Sequence, residues 1–104
     1  MNDYSQKIKP MLTYAELQNT LEENGYIVFF RTNQEDKFLM VCTSTKMENM
    51  NGFEFQCSQN CFAIWIKQEK IVVDYWIGQT PVEEPCENRE EMLLFLKEKF
   101  PLPS

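Results

Sequence analysis

Histidine is absent from this sequence of 104 residues, and glycine occurs only three times. Without histidine there is no Ser-His or Cys-His pair to activate a nucleophile, and the commonest general base and metal ligand are missing. The three glycines are far apart, so no glycine-rich loop is available to bind phosphate. We therefore expect no catalytic residues, no cofactor and no enzymatic activity. An enzyme working through carboxylates, tyrosine or cysteine remains a remote alternative.

Long apolar runs are also missing. No stretch reaches the roughly 18 consecutive apolar residues that a membrane-spanning helix needs, and residues 1–10 contain no apolar signal-peptide segment. We expect a soluble, cytoplasmic protein without a membrane partner. The length and the 43% hydrophobic content support one modest core. This predicts a single domain over residues 1–104, with frayed ends at 1–11 and 101–104.

The charge balance is acidic. Asp and Glu outnumber Lys and Arg by 16 to 10, which gives a net charge of −6 at pH 7. Such a surface is repelled by the phosphate backbone, so direct nucleic-acid binding is not expected. A protein partner with a basic surface is favoured instead.

Two runs of β-branched and aromatic residues, 62–66 and 71–77, predict a central β-hairpin with two apolar faces. Further strands are predicted on the same grounds, at 26–32, 37–44 and 53–57. Residues 45–52 have no consistent period and predict a loop. Two prolines within 79–87 predict an irregular surface connection.

Two helices flank these strands. Thr13 and Glu16 form a capping box, and Gly25 marks the C-terminal end of the first helix. Asn88 with Glu91 marks the start of a second helix. The predicted fold class is α+β, with an N-terminal helix, an antiparallel meander sheet of about five strands and a C-terminal helix in two layers. If both helices lie on one face, the other face is bare and apolar; the alternative is that the helices split between the faces or the sheet curls on itself.

Four cysteines offer a weak metal site. Cys57 and Cys61 are spaced so that two thiolates could bind zinc, with Cys42 and Cys86 completing the set. The alternative is that these are ordinary buried or edge cysteines with free thiols, and we expect no metal.

An acidic segment follows the central hairpin. Its five carboxylates form either a negative patch for a basic partner or a solvated loop next to a helix N-terminus. They are Glu83, Glu84, Glu87, Glu90 and Glu91. Trp65, Tyr75 and Trp76 are candidates for the apolar anchor of the same interface, the alternative being cross-strand core.

In size, charge and type, the chain resembles toxin-immunity proteins and phage-encoded inhibitors of bacterial defence nucleases. That resemblance implies a non-enzymatic inhibitor that blocks a basic, nucleic-acid-handling surface of a nuclease or defence effector. The chain is similar also to dimeric secretion chaperones, which implies client segments bound on an apolar sheet face. Either a monomer or a homodimer is compatible with the sequence.

Overall fold

The computed structural model describes residues 12–103, and this part of the chain forms two helices and seven strands. The predicted fraying of 1–11 lies outside the described residues. In chain order the elements are α1 (Tyr14–Glu23), β1 (Ile27–Asn33), β2 (Asp36–Cys42), β3 (Ser44–Met50), β4 (Phe53–Gln59), β5 (Phe62–Lys67), β6 (Lys70–Ile77), β7 (Thr80–Cys86) and α2 (Arg89–Lys99). The α+β class with a helix at each end of an antiparallel sheet is confirmed.

The capping signals set the ends of α1. The Thr13 side chain accepts a hydrogen bond from the Glu16 backbone N–H at 3.2 Å, which satisfies one of the unpaired donors of the first turn. At the other end Gly25 has a φ of +95°. The next backbone N–H, of Tyr26, bonds to the Leu21 carbonyl at 3.0 Å and closes a Schellman motif. The predicted start and end of this helix are both confirmed.

Helix α2 begins as its sequence indicates. The Asn88 side chain accepts a hydrogen bond from the Glu91 N–H at 2.8 Å. The buried stripe of the helix consists of Met92 and Leu96, which have no exposed surface. The helix ends at the C-cap residue Phe100, because Pro101 follows directly and a proline cannot continue the hydrogen-bonded ladder.

Five strands form one antiparallel sheet in the order β1-β2-β5-β6-β7. Helix α1 packs on β1 and β2, and α2 packs on β6 and β7. Strand alternation shows that both helices cover the same face, because the buried strand residues of the core all have their side chains there. The core cluster consists of Leu17, Leu21, Tyr26, Val28, Leu39, Val41, Phe62, Ile64, Ile71, Val73, Tyr75, Cys86, Met92 and Leu96.

The prediction of a loop at 45–52 is wrong, because β3 and β4 form a separate two-stranded hairpin, here called the arm (residues 44–59). Its turn is Asn51-Gly52, with φ values of +54° and +86°, as a type I′ turn requires. The arm continues the β2–β5 pair in the same register, after an interruption at Thr43 and Asn60. It gives the molecule extents of 68 × 34 × 28 Å.

The prediction of an irregular connection at 79–87 is also wrong. Strand β7 pairs with β6, with Pro81 opposite Trp76 and Pro85 opposite Val72. Because β7 is the last strand of the sheet, every second residue directs its backbone nitrogen away from β6, and a proline there breaks no ladder bond. The two prolines are four residues apart, so both can occupy such positions.

Candidate functional site

The face of the sheet opposite the helices, here called the open face, carries an apolar surface that neither α1 nor α2 covers. The arrangement with both helices on one face is therefore the one observed. By strand alternation its central residues are Phe29, Phe38, Met40, Ala63, Trp65, Val72, Asp74, Trp76 and Glu83. Most of these side chains are partly accessible, so the open face can contact another molecule without rearrangement.

An aromatic stack lies on β2 and β5, at the end of the open face next to the β1–β2 turn. The rings of Phe38 and Trp65 are 4.7 Å apart with an interplanar angle of 21°. The Lys67 ammonium lies 5.3 Å from the centre of the Trp65 ring and forms an ion pair of 3.1 Å with Glu83. Lys67 thus extends over the apolar surface towards the β7 side and places one positive charge within it.

Trp76 is the most exposed aromatic side chain of the five-stranded sheet, with 66% of its surface accessible. It shares the open face with Trp65 but is not next to it. Trp65 is opposite Val72, and Trp76 lies four residues further along β6, about 13 Å at the usual strand rise. Tyr75 has the opposite orientation: it is buried in the core, with its ring 5.4 Å from that of Phe100. Tyr75 therefore does not belong to the open face.

The five carboxylates of the acidic segment do not share one surface. Glu83 is on the open face, and Glu84 is on the helix-covered side of the same strand. Glu87 forms an ion pair of 3.0 Å with Lys70. Glu83 and Glu84 thus lie on opposite faces of β7, and the charge of Glu87, which follows the strand, is paired with Lys70.

The remaining two carboxylates belong to the first turn of α2. Glu90 and Glu91 are both exposed there, where negative charge complements the helix dipole. A side-chain oxygen of Glu91 accepts a hydrogen bond from the Glu87 N–H at 3.4 Å. Glu90 and Glu91 are therefore placed where they stabilise the start of α2. This is the alternative that the sequence offered to a partner-binding patch.

All four cysteines are free thiols. Cys42 and Cys86 are buried, Cys57 is half-buried and Cys61 is exposed. Although Cys61 is exposed as a residue, partial desolvation of its thiol raises the pKa; the nearby Cys42 adds to this effect, and a hydrogen bond with the Ser58 side chain opposes it. Burial, with the carboxylates of Glu91 and Glu84, raises the pKa of Cys86 to about 11. The raised pKa keeps these two thiols protonated at neutral pH, and a protonated thiol is a poor nucleophile. Within residues 12–103 no three Cys, Asp or Glu side chains are grouped so that they could hold a metal ion.

A cleft of about 420 Å³ lies beside the turn between β1 and β2. Its lining consists of Tyr14, Glu35, Asp36, Lys37, Trp65, Ile66 and Lys67. The Tyr14 hydroxyl accepts a hydrogen bond from the Ile66 N–H at 2.9 Å, beyond the last β2–β5 pair. The indole N–H of Trp65 is buried and has no acceptor among the described residues. The cleft therefore joins the open face at Trp65, whose indole nitrogen is itself closed off from solvent.

The arm carries a second apolar surface, which the sequence reasoning missed. Phe53 is 77% exposed at the tip, opposite Met50, and Phe55 follows on the same side of the arm. Met47 is exposed on the other side. A two-stranded hairpin on its own is marginally stable in water, and these exposed side chains add no buried contacts to it. An exposed group of apolar residues of this kind is unusual. The Asn51-Gly52 dipeptide was the signal that could have located this hairpin.

Comparisons with protein-family models, curated proteins and solved structures found no match to this chain. Among residues 12–103, neither α1 nor α2 combines the length and the apolar composition that crossing a membrane requires.

Proposed function

We propose that this chain is a non-enzymatic protein-binding module of the inhibitor or immunity type. It would act by occupying a basic, nucleic-acid-handling surface of a partner protein, such as a toxin or a defence nuclease. The observation that supports this proposal is the open face, where an apolar sheet surface is left without cover from the helices. Monomeric proteins rarely expose contiguous apolar surface without a binding role.

Trp76 is the residue best placed to anchor the partner. Tryptophan is the side chain most enriched among residues that dominate binding energy, because it buries a large area and loses few rotamers. In the free protein 66% of its surface is accessible, so most of its contact area remains for a partner. The stacked pair of Phe38 and Trp65 extends the apolar surface towards β2.

The charge pattern on the open face favours a basic partner. Asp74 and Glu83 are directly opposite each other on β6 and β7, an arrangement of like charges that destabilises a sheet. Lys67 neutralises only one of the two. A basic side chain from a partner would relieve this repulsion, and the net charge of −6 would accelerate the encounter.

We place this function in the cytoplasm. Four free thiols in a small domain are typical of a reducing compartment, whereas an oxidising one favours disulfides. The secretion-chaperone alternative has less support, because the helix that such proteins have in the middle of the chain is replaced by the arm.

The first experiment tests the anchor. The tagged protein is used to capture a partner from a bacterial lysate, and binding of the purified partner is then measured for Trp76→Ala. Leu94→Ala is the matched control, since Leu94 is equally exposed at 70% but lies on α2. We expect Trp76→Ala to speed dissociation at least roughly tenfold and the control to change nothing. Equal dissociation rates for the two variants would rule out Trp76, and with it the open face, as the surface that holds the partner.

The second experiment tests the charge. The double reversal of Asp74 and Glu83 to lysine is compared with the reversal of Glu22 and Glu23, two exposed carboxylates of α1. Only the first variant should slow association and flatten its dependence on salt. The captured partner should also lose nucleic-acid binding when the wild-type protein is added. A partner that still binds nucleic acid in the complex would contradict the proposed mode of inhibition.

A further inference from the structure

The two edges of the five-stranded sheet differ in chemistry. Strand β7, at one edge, contains Pro81 and Pro85, and a proline on an edge strand prevents another strand from pairing there. Strand β1, at the other edge, has the sequence Ile-Val-Phe-Phe-Arg-Thr-Asn, with no proline, no glycine and no carboxylate. One edge is thus protected against pairing and the other is not.

Strand β1 is also regular. All seven of its residues pair with β2 without a bulge, from Ile27 opposite Cys42 to Asn33 opposite Asp36. Every second residue of an antiparallel strand directs its N–H and C=O away from the paired neighbour. No hydrogen bond from residues 12–103 reaches these outward groups of β1. A regular strand with free outer backbone groups is a template for another strand.

The side chains of β1 continue both layers of the molecule to this edge. On the helix side, Phe30 is 46% exposed and contacts Tyr14 edge-to-face at 6.1 Å. On the open face, the Arg31 guanidinium lies 5.1 Å from the centre of the Phe29 ring. A strand added at this edge would therefore bury apolar surface on both sides and gain backbone hydrogen bonds.

We propose that the outer edge of β1 pairs with the same strand of a second copy of this chain, antiparallel and about a twofold axis at Phe30. The charge pattern of β1 favours a second copy. Two copies with a net charge of −6 repel each other, and β1 is a surface that brings no carboxylates together. With the axis at Phe30, Arg31 faces Phe29 of the second copy rather than another arginine. The cation–π contact seen within one chain is thereby repeated across the interface.

This pairing would join two five-stranded sheets into one of ten strands. A twofold axis perpendicular to the sheet keeps both helix layers on one side, so the two open faces become one wider surface. The interface consists of one seven-residue strand edge from each copy, which is smaller than a standard interface of about 1,600 Å². We therefore expect a dimer with a dissociation constant in the micromolar range.

Sedimentation velocity of the full-length protein from about 1 µM to about 1 mM should show a monomer that converts to a dimer. Phe30→Lys places two lysines opposite each other at the axis and should raise the dissociation constant at least roughly tenfold. This variant makes the chain less acidic, so a weaker dimer could not be attributed to net charge. The matched pair Thr32→Lys and Thr80→Lys puts the same change on β1 and on β7, and only the first should weaken the dimer.

Hydrogen exchange locates the interface without any substitution. Amides of β1 should become more protected as the protein is concentrated, while those of β7 should not change. The proposal is overturned if the protein stays monomeric at about 1 mM. It is equally overturned if the added protection falls on the arm or the open face, or if Thr80→Lys weakens the dimer as much as Thr32→Lys.

Discussion

Removing a buried aliphatic side chain from the central strand should cost far more stability than removing a larger aromatic one from the arm. Ile64 is on β5, between Leu39 and Val73 of the neighbouring strands, and has no exposed surface. Ile64→Ala removes fully buried groups and leaves a cavity, which costs about 2–5 kcal/mol. For a chain of this size each kcal/mol lowers the melting temperature by about 4–8 °C, so the variant should melt at least about 8 °C lower.

Phe53 gives the contrasting result. With 77% of its surface exposed, it can contribute only about a quarter of the roughly 3 kcal/mol that complete burial of such a side chain provides. Phe53→Ala should therefore cost less than about 1 kcal/mol, although it removes more atoms than Ile64→Ala. Urea unfolding followed by tryptophan fluorescence, at one fixed protein concentration, measures both variants. If Phe53→Ala costs as much as Ile64→Ala, the arm is packed against the rest of the molecule and its apolar tip serves folding.

Other changes test separate features. Thr13→Ala should lower stability by about 1 kcal/mol, because it removes the acceptor for the Glu16 N–H, and an unchanged denaturation midpoint would contradict the cap. Gly52→Val should increase hydrogen exchange in the arm but leave the global midpoint unchanged, since a φ of +86° is strained for valine and the arm lies outside the core. The raised pKa of Cys86 means that the thiolate is favoured on unfolding, so stability should fall as the pH rises from about 9 to about 11, and Cys86→Ala should reduce this slope. Protein purified without added metal should contain no stoichiometric zinc, and its fold should survive a chelator.

The features that the sequence predicted well are those that depend on neighbouring residues. The capping residues Thr13 and Asn88 and the terminating Gly25 act within one helical turn, so their consequences are visible in a short window. The central hairpin was equally visible, because both of its strands are buried and rich in β-branched residues.

The features that the sequence did not predict depend on position in the sheet. Residues 46–50 of β3 are exposed on both sides, so neither face had to be apolar and the alternation that indicates a strand is absent there. Pro81 and Pro85 argue against a strand only where both edges are paired, and the sequence does not say which strand is at the edge. The placement of Glu83 and Glu84 on opposite faces of the sheet was not predicted for the same reason, because it follows from β7 being a strand.

The length of the helices explains why one face of the sheet is left open. At 1.5 Å per residue, α1 and α2 extend about 15 and 17 Å, and the five strands are about 19 Å wide from first to last. Each helix is about 10 Å across with its side chains, so α1 over β1 and β2 and α2 over β6 and β7 together cover about the width of one face. Within residues 12–103, the hairpin connections are two-residue turns, and residues 44–59, the only long excursion, extend away from the sheet as the arm. Residues 12–103 thus have no element left to cover Trp65 and Trp76, and this is why the open face carries the proposal of a partner-binding surface.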